Sequence, residues 1–251
     1  MKTEWLATGR GYEIPCTFSI GRENTKVCVV AHGFGSSKES PTVQMLLKAL
    51  PEQGIGVAAF DFPAHGESRV DGEYLRIPNC TADLADVEAL ARTLAPGAEI
   101  TYFGSSFGAY TTLIYLSGLP GGGRRAFFRS AAVCMPALFR RPTKAQAEAM
   151  ERDGFLILGE DYGCARPLKL TQAFLDDLDS HDVFRLWSRE KAELHMIHGE
   201  ADRTIPISEA RRFAEQFGVP LSEVPGGDHR LSIPGAPERV LEEALSFFRA
   251  R

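Results

Sequence analysis

Long basic runs are missing from this chain of 251 residues, and its formal net charge is -5. A polyanionic partner requires clustered Lys and Arg, so nucleic acid is excluded as an expected partner. Runs of ~18 apolar residues, the length of a membrane span, are also missing, and Met1-Lys2-Thr3-Glu4-Trp5 leads into no apolar stretch of signal-peptide length. The chain therefore reads as soluble and cytoplasmic, without a membrane partner. Its five cysteines, Cys16, Cys28, Cys80, Cys134 and Cys164, are odd in number and scattered, with no C-x-x-C pair. That argues against a disulfide framework and against a zinc site. They read as small packed residues, and neither a metal nor an organic cofactor is expected.

What is present is apolar material for a core, 44% of the residues, at the upper end of single-domain size. Short β-branched runs alternate with amphipathic helix-length segments, the pattern of an α/β chain with a mostly parallel sheet covered on both faces. Strands are expected at Tyr12 to Ile20, Val27 to Ala31, Gly56 to Phe60, Glu99 to Phe103, Ala131 to Met135, Leu194 to Ile197 and Pro220 to Val224. Helices are expected from Pro41, with Ser40 as its cap, to Leu50, and over Thr81 to Leu94, Phe107 to Leu116, Pro206 to Phe217 and Pro237 to Arg251. The alternation is lost between Pro136 and Lys191, a stretch far longer than the usual connection of about 4 to 6 residues. A small cap over residues 137–191 is expected there, inserted in a core of 1–136 and 192–251. Within it Thr143 to Arg152 and Leu170 to Leu178 read as helices, and Phe155 to Leu158 as a strand.

The chemistry centres on Gly104-Ser105-Ser106-Phe107-Gly108, between a predicted strand and a predicted helix. A Gly-x-Ser-x-Gly spacing arises by chance roughly once in eight chains of this composition, so its position carries the inference. A nucleophile on a sharp strand-to-helix turn needs glycine two residues before and after it. Ser106 meets that condition; Ser105 would be flanked by Phe103 and Phe107.

A serine hydroxyl needs a base, usually a histidine oriented by a carboxylate. Of six histidines, only His229 lies in a loop between the last strand and the last helix. For His32, His65, His181, His195 and His198, structural or surface roles are expected. The carboxylate should come from a loop at the carboxyl end of a strand, and Gly199-Glu200-Ala201-Asp202 offers two, of which Asp202 is preferred. Asp228, beside the histidine, reads as a surface charge. For a tetrahedral oxyanion, the backbone N–H groups of Phe107, at a helix start, and of Phe34, in His32-Gly33-Phe34-Gly35, are the expected donors. Acyl or aryl contacts are expected from apolar cap residues, among them Phe139, Tyr162, Trp187, Phe155, Leu156 and Phe174.

These segments, together with Asp61 to Ser68 and His198-Gly199 through Asp202 to Pro206, resemble the ordered motifs of α/β-hydrolase serine esterases from about Val27 onward. The resemblance implies an eight-stranded, mostly parallel sheet with a cap after the sixth strand, similar to cinnamoyl or feruloyl esterases and related small carboxylesterases. It departs from the family at Pro63-Ala64, a place often held by Arg-Gly or Asn-Gly. The expectation is a carboxylesterase acting through an acyl-enzyme on a small-molecule ester with a small to medium acyl or aryl group, hydroxycinnamoyl included. Thioesterase, peptidase and carbon-carbon bond hydrolase share the machinery. A fold retained for binding alone would have lost one of Ser106, Asp202 and His229, and none is missing.

Overall fold

The computed structural model describes residues 3–140 and 142–250. Its strands are β1 (Glu4–Ala7), β2 (Glu13–Ser19), β3 (Lys26–Ala31), β4 (Gly56–Phe60), β5 (Glu99–Ser105), β6 (Arg125–Arg129), β7 (Phe155–Leu158), β8 (Leu168–Thr171), β9 (Glu193–Gly199) and β10 (Leu221–Val224). The helices are α1 (Pro41–Glu52), α2 (Ile77–Leu94), α3 (Phe107–Ser117), α4 (Met135–Leu138), α5 (Lys144–Asp153), α6 (Gln172–Ser180), α7 (Val183–Leu186), α8 (Ile207–Phe217) and α9 (Ala236–Arg249). Eight strands form one sheet in the order β1-β2-β4-β3-β5-β6-β9-β10. Only β1 with β2 and β2 with β4 pair antiparallel; the rest run parallel.

Side chains alternate across a strand, so β3 feeds two cores. Val27 and Val29 join the layer that holds Leu84 and Val87 of α2 and Leu113 of α3. Cys28 and Val30 face the other layer, with Leu46 and Leu50 of α1 and Val240 and Phe248 of α9. Both faces of the central strands are thus dry, which is why they read as continuous apolar runs. Helix α1 starts with Pro at its first turn, but Ser40 makes no side-chain cap bond, and α8 stops at Gly218 in the left-handed conformation (φ 61°).

The sixth strand is not where its apolarity suggests. Ala131 to Met135, expected as a strand, forms a turn and the start of α4, and the strand is Arg125-Ala-Phe-Phe-Arg129. Both flanking arginines are buried, Arg125 by pairing Nε and Nη2 with Glu193 at 2.8 and 3.0 Å. Charge at both ends hid the strand. Between β6 and β9 the chain makes α4 to α7 and a separate antiparallel pair, β7 with β8. The helix expected over Leu170 to Leu178 is instead β8 followed by α6, with Thr171 Oγ1 accepting the Phe174 N–H at the junction. Among the described residues no helix is long and apolar enough to cross a membrane.

Candidate active site

Strand β5 ends at Ser105 and α3 begins at Phe107, which leaves Ser106 at φ 52°, ψ -111°. A non-glycine residue held there costs about 1–3 kcal/mol and persists only when its surroundings impose it. Here the Ser106 N–H donates to the Arg129 carbonyl (2.9 Å), and the Ser106 carbonyl accepts from the Tyr110 and Ala132 N–H groups (3.1 and 3.2 Å). The chain is too crowded beside the turn for any Cβ. One at Gly104 would lie 2.6 Å from Ala109 Cα, and one at Gly108 2.2 Å from the Ala31 carbonyl oxygen.

His229 stands across from the turn. The Ser106 hydroxyl donates to Nε2 at 3.0 Å, and Nδ1–H donates to Asp202 Oδ2 at 2.7 Å. Since a carboxylate only accepts, the second contact fixes the imidazole hydrogen on Nδ1 and leaves Nε2 free as a base. Asp202 Oδ1 accepts the Thr204 and Ile205 N–H groups, both at 2.8 Å. Burial alone would raise the Asp202 pKa, but hydrogen bonds from His198 and His229, the His229 ring and the Ile205 N–H outweigh it, and the group lies well below the carboxylate range.

His198, expected in a merely structural role, is part of this arrangement. Its Nε2 lies 2.9 Å from the Ile205 carbonyl and 3.1 Å from Asp202 Oδ2. Both are acceptors, so Nε2 carries the hydrogen and shares it between them. The available signal was a His and an Asp four residues apart at the end of a strand. The other carboxylates are elsewhere: Glu200 is exposed, and Asp228 accepts from the Ser232 N–H and hydroxyl.

The loop after β3 lies beside Ser106, a Cβ at Gly33 falling 3.5 Å from Ser106 Cβ. Neither the Phe34 nor the Phe107 N–H has an acceptor among the described residues. His32 pins this loop: Nδ1–H donates to the Gly33 carbonyl (2.8 Å), and Nε2 accepts the Phe62 N–H (3.2 Å). Burial lowers the His32 pKa to about 4 and that of neighbouring His65 to about 3, so both rings are neutral. At the Pro63-Ala64 departure, Ala64 takes the left-handed conformation (φ 65°) that a glycine would adopt freely. Its N–H donates to Ser68 Oγ, which keeps the loop in shape.

A family model described as "Alpha/beta hydrolase family" matches residues 28–243. The chain belongs to that family. The α/β-hydrolase fold expected from the motifs is thereby borne out. Solved structures similar to this alpha/beta hydrolase include a putative hydrolase from Agrobacterium vitis S4, 18% identical over 99% of each chain, with a TM-score of 0.85. Est1E from Butyrivibrio proteoclasticus, bound to ferulic acid, is 17% identical over 98% of this chain and 100% of its own, with a TM-score of 0.79. A monoacylglycerol lipase from Paleococcus ferrophilus is 20% identical over 94% of this chain and 98% of its own, with a TM-score of 0.71. At such identities the likeness is one of fold. No curated protein matches the sequence.

In this alpha/beta hydrolase the aromatics of residues 137–191 named from sequence are distributed unevenly. The half-buried Phe139 ring lies 5.7 Å from that of Phe34, and buried Phe174 lies 5.8 Å from Phe34 and 6.1 Å from Phe107. Tyr162 is 52% exposed, its hydroxyl accepting from Gln146. Trp187 is the third residue expected to meet substrate. It is buried beside Leu194, His195 and Phe217, at the start of β9, whereas Ser106 and Asp202 follow strand ends. Helix α7, which ends just before it, was not foreseen. A cleft of about 720 Å³ lined by Lys26, Glu99, Arg125 and Glu193 also opens at strand starts, away from the relay. Among the described residues no group of three or more His, Cys, Asp or Glu side chains is placed to hold a metal ion.

Proposed function

We propose that the protein is a serine carboxylesterase in which Ser106 attacks an ester carbonyl, His229 is the base and Asp202 orients it. The observation that carries this reading is the continuous hydrogen-bonded relay from Ser106 Oγ through His229 to Asp202 Oδ2. As Oγ bonds to the carbonyl carbon, His229 Nε2 takes its proton, and Asp202 steadies the resulting imidazolium. The carbonyl oxygen becomes an oxyanion held by the Phe34 and Phe107 N–H groups, each worth about 2.7–4 kcal/mol in comparable sites. His229 then protonates the departing alcohol, and water repeats the sequence to release the acid.

Residues 137–191 act as a cap over this site in the same reading. The half-buried Phe34 and Phe139 rings offer an apolar wall for an acyl or aryl group. That suits a small-molecule ester, with hydroxycinnamoyl esters included in the range. The reading places the enzyme in the cytoplasm.

The test is a fluorophosphonate probe on the folded protein, followed by p-nitrophenyl and hydroxycinnamate esters. Labelling of wild type at Ser106, and its loss in Ser106→Ala, is the expected result. An unlabelled wild type rejects the reading, and faster turnover of matched thioesters or amides would reassign the substrate class.

A further inference from the structure

The end of β6 bears a positive charge that the steps above do not use. Arg129 is 8% exposed, and among the described residues no carboxylate is in ion-pair contact with it. Burial lowers its pKa to about 10, which leaves it charged at neutral pH. Asp202 and Asp228 favour that charge from a distance, and Arg230 opposes it. A buried charge without a direct counter-ion is costly to fold around, so the destination of its donors is informative.

Those donors join the two halves of the relay. Arg129 Nε–H donates to Ser105 Oγ at 3.1 Å, and Nη1–H donates to the His229 backbone carbonyl at 3.1 Å. Its own carbonyl accepts the Ser106 N–H at 2.9 Å. One residue thus holds the residue before the nucleophile, the nucleophile and the backbone of the base. Apart from the two bonds of the His229 ring, this is the one side-chain hydrogen bond to His229 among the described residues.

We propose that Arg129 is a positioning residue that sets His229 Nε2 against Ser106 Oγ by tying the nucleophile turn and the histidine loop to one strand end. The inference rests on the esterase reading. The planar guanidinium is required because its donors are fixed in a fork that meets two acceptors at once, and an ammonium group offers no such fork. A mere counter-charge for Asp202 would be replaced by lysine without loss.

The test compares Arg129→Lys, Arg129→Met and Ser105→Ala with wild type. It measures kcat and KM on a p-nitrophenyl ester, the rate of fluorophosphonate labelling, and melting temperature. Both Arg129 variants are expected to lose about 10- to 100-fold in kcat and in labelling rate at unchanged KM, the signature of misplaced reacting groups. Ser105→Ala, which removes one acceptor and little volume, should lose less, and its effect should vanish in the Arg129→Met background. Full activity in Arg129→Lys, or a loss that only tracks the folded fraction, overturns the proposal. Should Arg129→Met fail to fold, Arg129→Lys and Ser105→Ala decide. Absence of labelling in wild type would reject the esterase reading itself, a result distinct from labelled wild type with unaffected variants.

Discussion

Ser106 occupies a backbone conformation that its own side chain disfavours, and the strain is contained because two glycines let neighbouring backbone close around it. Gly104→Ala therefore forces a methyl into the Ala109 backbone rather than into a flexible side chain. A loss of about 1–3 kcal/mol is expected from such overpacking, read as a lower urea midpoint. Asp202 makes a contrasting prediction, since all four of its contacts are donors. Asp202→Asn would turn an amide N–H toward one of them and unsettle the His229 tautomer. It should fold, by circular dichroism, yet lose about a thousandfold or more in kcat. That Ser106, His229 and Asp202 would lie together was legible in the sequence, because the proposed chemistry fixes their residue types and their positions beside strand ends. Arg129 and the role of His198 were not, because what they do depends on partners brought together by the sheet, such as Ser105 and His229 for Arg129.

The elements that were read correctly are those whose apolar pattern is uninterrupted, such as β4 over Gly56–Phe60 and β7 over Phe155–Leu158. Misreadings fell where a buried charge or a short element broke the pattern, as at β6, at the β8–α6 junction and at β1, which was not foreseen. The start of α2 has the same cause. It begins at Ile77, four residues before the expected Thr81, with the first N–H of the helix satisfied from α6. Asp177 of α6 accepts the Ile77 N–H at 3.1 Å and grips Arg76 Nε and Nη2 at 2.6 and 2.8 Å. This carboxylate, remote in sequence, supplies the negative charge that a helix N-terminus favours. Asp177→Ala should cost about 1–2 kcal/mol in urea melts and speed amide exchange in the first turn of α2 and in α6. The exposed pair Arg140 with Asp179 provides the control, with both side chains about two-thirds exposed. Asp179→Ala should shift stability by less than about 0.5 kcal/mol.

For the whole molecule, the two neutral imidazoles behind the loop after β3 tie stability to pH. His32 and His65 are fully buried, and their pKa values fall from the ordinary 6.5 to about 4 and about 3 because burial penalises the charged form. Between those values and 6.5 the unfolded chain binds protons that the folded chain refuses, so stability rises with pH across that window. Their contribution is complete above 6.5 and shrinks as the pH falls toward 4, with a limit of about 1.4 kcal/mol per pH unit for each histidine. Asp202, held low by its donors, adds a loss in the same direction only at pH values below its ordinary range. Asp83, raised to about 6 by burial, and Asp61, also raised, oppose this slope, so the histidine contribution is read by difference: in urea melts from pH 7.5 to 4.5, His65→Phe should lower the slope relative to wild type by up to about 1.4 kcal/mol per pH unit below pH 6.5, whatever its effect at pH 7.5. An unchanged slope in His65→Phe would mean that this ring protonates without opening the fold. Because a protonated His32 Nε2 could no longer accept the Phe62 N–H, the strain of acidification falls on the loop that carries Phe34. Amide exchange at the Phe62 N–H should then speed up at a higher pH than the loss of far-ultraviolet dichroism, as local opening there precedes global unfolding.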